Sequence, residues 1–129
     1  MASGTISLLD DTGWQDATLG TNFKLYDEDS VLKYRRVGNI VSVIGTVSPK
    51  ANLTISGVNN IYAITTLPSG FRPPITVRKI CQGSSQYVWH MTVQEDGEVN
   101  LSRYRVTNSS SYTNCPANAW LPINVVFEV

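Results

Sequence analysis

Short runs in which apolar and polar residues alternate at every second position, each cut off by Gly, Pro, Asn or Asp, occupy most of this chain, and a helical 3.6-residue period is almost nowhere present. The clearest run spans Val31 to Val47, where two β-rich segments flank Gly38-Asn39, a two-residue loop suited to the positive φ of a tight hairpin. Such a loop fixes the register: Val37 opposite Ile40, Arg36 opposite Val41, Tyr34 opposite Val43 and Leu32 opposite Gly45. Leu32, Tyr34, Val41 and Val43 then form a core face, with Lys33, Arg35, Ser42 and Ile44 on its reverse. Further strands are predicted over 61–67, 75–81 and 87–94, the last with Tyr87, Trp89, Met91 and Val93 on one face and Val88, His90, Thr92 and Gln94 on the other. Around Glu95-Asp96-Gly97 a three-residue loop with left-handed Gly97 pairs Val93 with Val99 and Met91 with Leu101, whereas a two-residue loop would set apolar Val93 against Asn100. The last strand aligns Leu121, Ile123, Val125, Phe127 and Val129 on one face, locking the C-terminus into a sheet. Loops are expected in the N-terminal stretch, from Pro49 to Asn60 and from Asn108 to Ala119. About eight short strands without helical crossovers make an all-β single domain, an antiparallel β-sandwich or jelly-roll-like barrel.

A chain of 129 residues is long enough to build one core without staples. Ten basic and ten acidic residues cancel, and charged residues are only 16% of the chain, so nothing in the overall charge would hold nucleic acid or an acidic membrane. The longest apolar runs fall well short of the ~20 residues a membrane helix needs. Cys81 and Cys115 lack the spacing of a zinc site, so no metal and no cofactor is expected, while the pair leaves a disulfide open.

Tyr34-Arg35-Arg36-Val37-Gly38-Asn39-Ile40-Val41, then Gly45, and later Thr66-Leu67-Pro68-Ser69-Gly70-Phe71-Arg72-Pro73 resemble the C-terminal head domains of tail-tip receptor-binding proteins from phages and prophages of Gram-positive bacteria. Gly13-Trp14 and Asp96-Gly97 fit the same pattern, and the likeness runs from Trp14 onward. The resemblance implies a β-barrel head over 23–129, with 1–22 as an N-terminal extension or connection to a longer fibre. It further implies a homotrimer on the fibre axis, a place at the virion tail tip among other tail or baseplate proteins, and adhesion to host cell-wall saccharides or glycerol-containing polymers. It carries over no binding motif.

The site residues are therefore inferred from the chain itself. Under the three-residue loop, His90 pairs with Ser102 and has Thr92, Asn100 and Tyr104 nearby, a sheet face of hydrogen-bonding groups with a ring that suits sugar hydroxyls and the apolar side of a pyranose. The same pattern is also what a plain solvated sheet face looks like. Residues 108–114 surround Tyr112 with Asn and Ser, the composition of an adaptable recognition loop, with Asn108 at its start. The candidate saccharide contacts are His90, Asn100, Ser102, Tyr104, Asn108 and Tyr112. Trp89 falls opposite Arg103 and Tyr87 opposite Arg105 in this register, Trp14 and Trp120 close sandwich ends, and Arg72 pairs with a carboxylate. Catalysis is not expected: carboxylates sit in turns at Asp10-Asp11, Asp27-Glu28-Asp29 and Glu95-Asp96-Glu98, and a glycosidase needs two across a cleft. The competing classes are a trimeric tip without saccharide binding and a glycan-degrading domain.

Overall fold

The computed structural model describes residues 10–129 and builds them into nine strands. These are β1 (Gln15–Asp16), β2 (Phe23–Leu25), β3 (Leu32–Val37), β4 (Ile40–Pro49), β5 (Tyr62–Thr66), β6 (Val77–Gln82), β7 (Tyr87–Val93), β8 (Glu98–Val106) and β9 (Leu121–Glu128). All pairings are antiparallel, and two sheets pack as a sandwich. One sheet centres on β4, which has β9 along one edge and β3 followed by β2 along the other; the second sheet has the order β5-β8-β7-β6.

The two hairpins form with the registers their turns dictate. Tyr34 lies opposite Val43 and Leu32 opposite Gly45, with Gly38 at φ 58°. That left-handed first loop position is the type II′ geometry, whose twist matches the flanking strands. In the second hairpin Val93 pairs with Val99 and Met91 with Leu101, and Gly97 sits at φ 90°. A side chain at Gly97 would meet the Leu67 carbonyl oxygen at 2.3 Å, so both backbone conformation and close approach demand glycine there.

The inward faces meet in a core of Phe23, Leu32, Val41, Val43, Val47, Ile64, Leu67, Trp89, Met91, Val99, Leu101 and Leu121, among others. Strand β9 shows the alternation most cleanly, with Leu121, Ile123, Val125 and Phe127 buried and Asn124, Val126 and Glu128 exposed. Beyond it, the Val129 amide donates to the Asn39 carbonyl at 2.9 Å. Trp89 is fully buried and donates its indole N–H to the Gln82 carbonyl at 2.9 Å. Cys81 and Cys115 are free buried thiols, and burial pushes their pKa values up to about 11 and about 12.

Of the stretch expected as an extension, residues 1–9 lie outside the described residues. Residues 10–22 run along the sandwich: Asp11 bridges Val37, β1 pairs with β3, and Leu19 bridges Thr65 of the other sheet. Trp14 and Trp120 are each more than a third exposed, and Trp14 carries the Arg35 guanidinium 5.5 Å from its ring centroid. Arg72 donates through Nε to the Leu67 carbonyl at 2.9 Å and not to a carboxylate.

The main departure from expectation lies between β7 and β8. His90 pairs with Ser102 as predicted, but the register then shifts, so that Val88 faces Arg105 and Tyr87 faces Val106. Trp89–Arg103 and Tyr87–Arg105 are not pairs. Arg103 takes φ 55°, a left-handed bulge that inserts one residue into β8. Alternation beyond the bulge is inverted. Tyr104, expected on the His90 face, is therefore fully buried on the core side and stacks on Tyr87 at 5.0 Å with an 11° interplanar angle.

Candidate functional site

The outward face of the second sheet presents Arg78 and Ile80 from β6, His90 and Thr92 from β7, and Ser102 and Arg105 from β8, because paired residues share a face. Two adjoining depressions lie on this face. One, of about 200 Å³, is lined by Val58, Ile61, Arg78, His90, Thr92 and Ser102, together with Thr76, Gln94 and Arg103. The other, of about 410 Å³, is lined by Ile80, His90, Arg103, Arg105, Ser109, Ser110 and Tyr112. His90 and Arg103 belong to both, so the two form one groove with these residues at its waist.

The chain reaches this arrangement by three local devices. The β7–β8 ladder sets His90 beside Ser102. The bulge brings Arg103 to the groove while withdrawing Tyr104 from it. The segment after β8 folds back, held by the Thr113 amide donating to the Tyr104 carbonyl at 2.9 Å, which brings Ser109, Ser110 and Tyr112 against the sheet. Tyr112 is half-buried, with part of its ring packed on the core periphery.

The six sequence candidates thus separate. His90, Ser102 and Tyr112 line the groove. Asn100 occupies the same face, opposite Thr92, but is only 1% exposed, and among the described residues its amide Nδ2 and Oδ1 have no hydrogen-bond partner. Ala63 of β5 flanks it on the other side. Asn108 is exposed at φ 69° in the turn closed by the Ser109 amide and the Val106 carbonyl, and lines neither depression. Tyr104 belongs to the core. Arg78, Arg103 and Arg105 are groove residues that sequence reasoning missed. The unbroken period-two pattern turned Arg103 and Arg105 to the other face, and an arginine gives no sign of a left-handed bulge.

Electrostatics set the state of His90. Partial burial, reinforced by the guanidiniums of Arg103, Arg78 and Arg105, holds its imidazole below the ordinary value of 6.5. Its Nε2 is buried and has no partner among the described residues. A neutral imidazole carries one donor and one acceptor nitrogen.

A larger depression, about 640 Å³, lies at the Gly38-Asn39 turn and includes Asp10, Asp11, Arg36 and Phe71. Two of its charged groups are already committed. Arg36 donates to the carbonyls of Gly38 and Gly70, both at 2.7 Å, and Asp11 accepts from Arg35 in a salt bridge. Size alone therefore does not make it the better site.

No family model and no curated protein matches the sequence. Among solved structures, the head domain of the lactococcal phage bIL170, described as a receptor-binding domain, superposes with a TM-score of 0.62 at 12% identity, over 90% of this chain and 96% of that one. The chain has the fold of a phage receptor-binding head domain. Here both depressions of the groove lie where loop residues, Val58 and Ile61 on one side and Ser109, Ser110 and Tyr112 on the other, flank a sheet face. Loops over a rigid scaffold are where recognition concentrates.

Proposed function

We propose that this protein is the receptor-binding head of a phage tail tip, adhering to bacterial cell-surface saccharide through the His90 groove and acting as a homotrimer among other tail or baseplate proteins. The observation that carries this reading is the convergence, in one groove, of two segments with recognition chemistry: the His90–Ser102 face and the Tyr112 loop. His90, Ser102, Ser109 and Ser110 supply hydroxyl-reading groups, and Tyr112 supplies a ring for the apolar side of a sugar. The fold shared with the phage bIL170 head supports the place in the virion.

The lining residues also favour binding over cleavage. Glycoside hydrolysis requires two carboxyl groups across the scissile bond, and no Asp or Glu lines the groove. The function is adhesion without chemistry, and it calls for no cofactor.

A shallow groove of this kind binds one saccharide with Kd from ~1 mM to tens of micromolar. Three copies on one axis raise the avidity by roughly 10² or more. The test is binding to purified cell-wall polysaccharides from a panel of Gram-positive strains, together with a glycan-cleavage assay. His90→Ala and Tyr112→Ala should each weaken binding; His90→Ala should leave the thermal midpoint nearly unchanged, while Tyr112→Ala also removes packing at the core periphery and should lower it slightly. A protein that binds no wall of the panel is a purely structural tip, and one that shortens the glycan is an enzyme.

A further inference from the structure

We propose that the groove is selective for a negatively charged saccharide unit, whose phosphate or carboxylate is held between Arg78, Arg103 and Arg105. This rests on the saccharide-binding reading of the same groove and narrows its ligand. The chain as a whole is neutral, with ten basic and ten acidic residues, yet three of its cationic side chains line this one groove and no Asp or Glu does. The two ion pairs among the described residues, Lys33–Asp16 and Arg35–Asp11, lie on the other sheet. Like charges converge here without internal neutralisation, an arrangement that costs stability unless an anion completes it.

The backbone supplies a second, independent observation. Arg103 adopts φ 55° where Gly, Asn or Asp is the ordinary occupant, and that bulge places it at the waist of the groove. A left-handed arginine is a strained solution, and strain retained in a recognition groove points to use of that side chain. Arg105 donates through one terminal nitrogen to the Arg103 carbonyl at 2.9 Å, which anchors its guanidinium and leaves further N–H groups of the fork for a ligand. Planar forks of this type hold phosphate and carboxylate oxygens in pairs. Ile80, at 57% exposure, and Tyr112 border the same depression and offer apolar surface to a sugar ring beside the charge.

The experiment follows the His90 imidazole by NMR while the whole chain is titrated with glucose, glucuronate or glucose 6-phosphate. Arg78→Gln, Arg103→Asn and Arg105→Gln are compared with the parent, with thermal melting as the check on folding. The expected result is that a charged sugar moves the His90 signal at about a tenfold lower concentration than glucose. That advantage should shrink with added salt and disappear in the variants. Glucuronate and glucose 6-phosphate separate a carboxylate ligand from a phosphate one. If glucose and both charged sugars act equally, and the variants bind cell walls like the parent, the charge preference is overturned while saccharide binding stands. If no sugar moves His90 and no cell wall is bound, both readings fall. Arg78→Gln lies on an edge strand away from the bulge, so it keeps the test decisive should either β8 variant misfold.

Discussion

His90 faces Ser102 across β7 and β8, and immediately beyond that pair one inserted residue, Arg103, sends Tyr104 from the groove face into the core. Tyr104 is therefore a stability residue. Tyr104→Ala removes a fully buried ring stacked on Tyr87 and should cost about 3–5 kcal/mol, read from urea denaturation. Tyr104→Phe should be neutral or stabilising by about 1 kcal/mol, because the hydroxyl is buried without a partner among the described residues. A melting temperature unmoved by Tyr104→Ala would return this ring to the outer face.

Arg103 should show the opposite balance. Left-handed backbone costs a residue with a Cβ about 1–2 kcal/mol, which Asn tolerates better than Arg. Arg103→Asn is expected to keep or slightly raise the thermal midpoint while weakening binding to cell walls. A large loss of stability would mean that the guanidinium is a structural clamp.

How much of this was legible in the chain depended on whether local chemistry decided it. Gly38-Asn39 and Asp96-Gly97 specify their turns, and the apolar faces on either side admit one register each, so both hairpins and the His90–Ser102 pair were readable. The bulge was not, because Arg103 carries no left-handed signature and the alternation of β8 looks unbroken. Every β8 position past Ser102 inherited the wrong phase, which misplaced Tyr104 and hid Arg103 and Arg105. The Tyr112 loop was recognisable as a loop, but its position over β7 is a tertiary fact. The burial of Asn100 is tertiary too: it follows from a central place in the sheet between Ala63 and Thr92, with Val58 and Ile61 lining the depression beside it. The short strands β1 and β2 exist only through pairing with β3 and β4, and two or three residues carry no period.

Gly97 offers a test of the second hairpin. Gly97→Ala forces a side chain into a positive-φ position against the Leu67 carbonyl and should destabilise by roughly 2–3 kcal/mol. Chemical denaturation of the variant measures this directly. A loss of only a few tenths would mean that the loop relaxes to another turn.

His90 makes stability depend on pH in a defined direction. The groups facing it are Arg78 and Ile80 from β6, Ser102, Arg103 and Arg105 from β8, and Ser109, Ser110 and Tyr112 from the loop. Its folded pKa lies below the unfolded value of 6.5, so between the two the unfolded chain binds more protons. The contribution of His90 is fully present above pH 6.5 and is lost as the pH falls from 6.5 toward the folded value. Thermal midpoints measured through this window should fall with acid in the parent and fall less in His90→Gln. Identical profiles would remove the imidazole from the account.

The trimer is the last expectation, and the outer face of the first sheet is where it is tested. Ile40 and Ile44 of β4 and Val126 of β9 are 41%, 37% and 57% exposed on that face, where the alternation of a solvated sheet would place polar residues. Val126 pairs with Ser42, and Ile40 and Ile44 lie two residues to either side along β4, so the three are diagonal neighbours interleaved with Ser42, Asn124 and Glu128. Apolar neighbours of this kind on an outward face mark contact with another chain. Three identical heads on a fibre axis provide one through a closed, repeated interface. Light scattering should report three chains per particle for the parent and one for Val126→Glu with Ile44→Lys, with each variant monomer still folded by thermal melting. A parent that stays monomeric at micromolar concentration would remove the trimer and the avidity argued from it, and would leave the His90 groove to act alone.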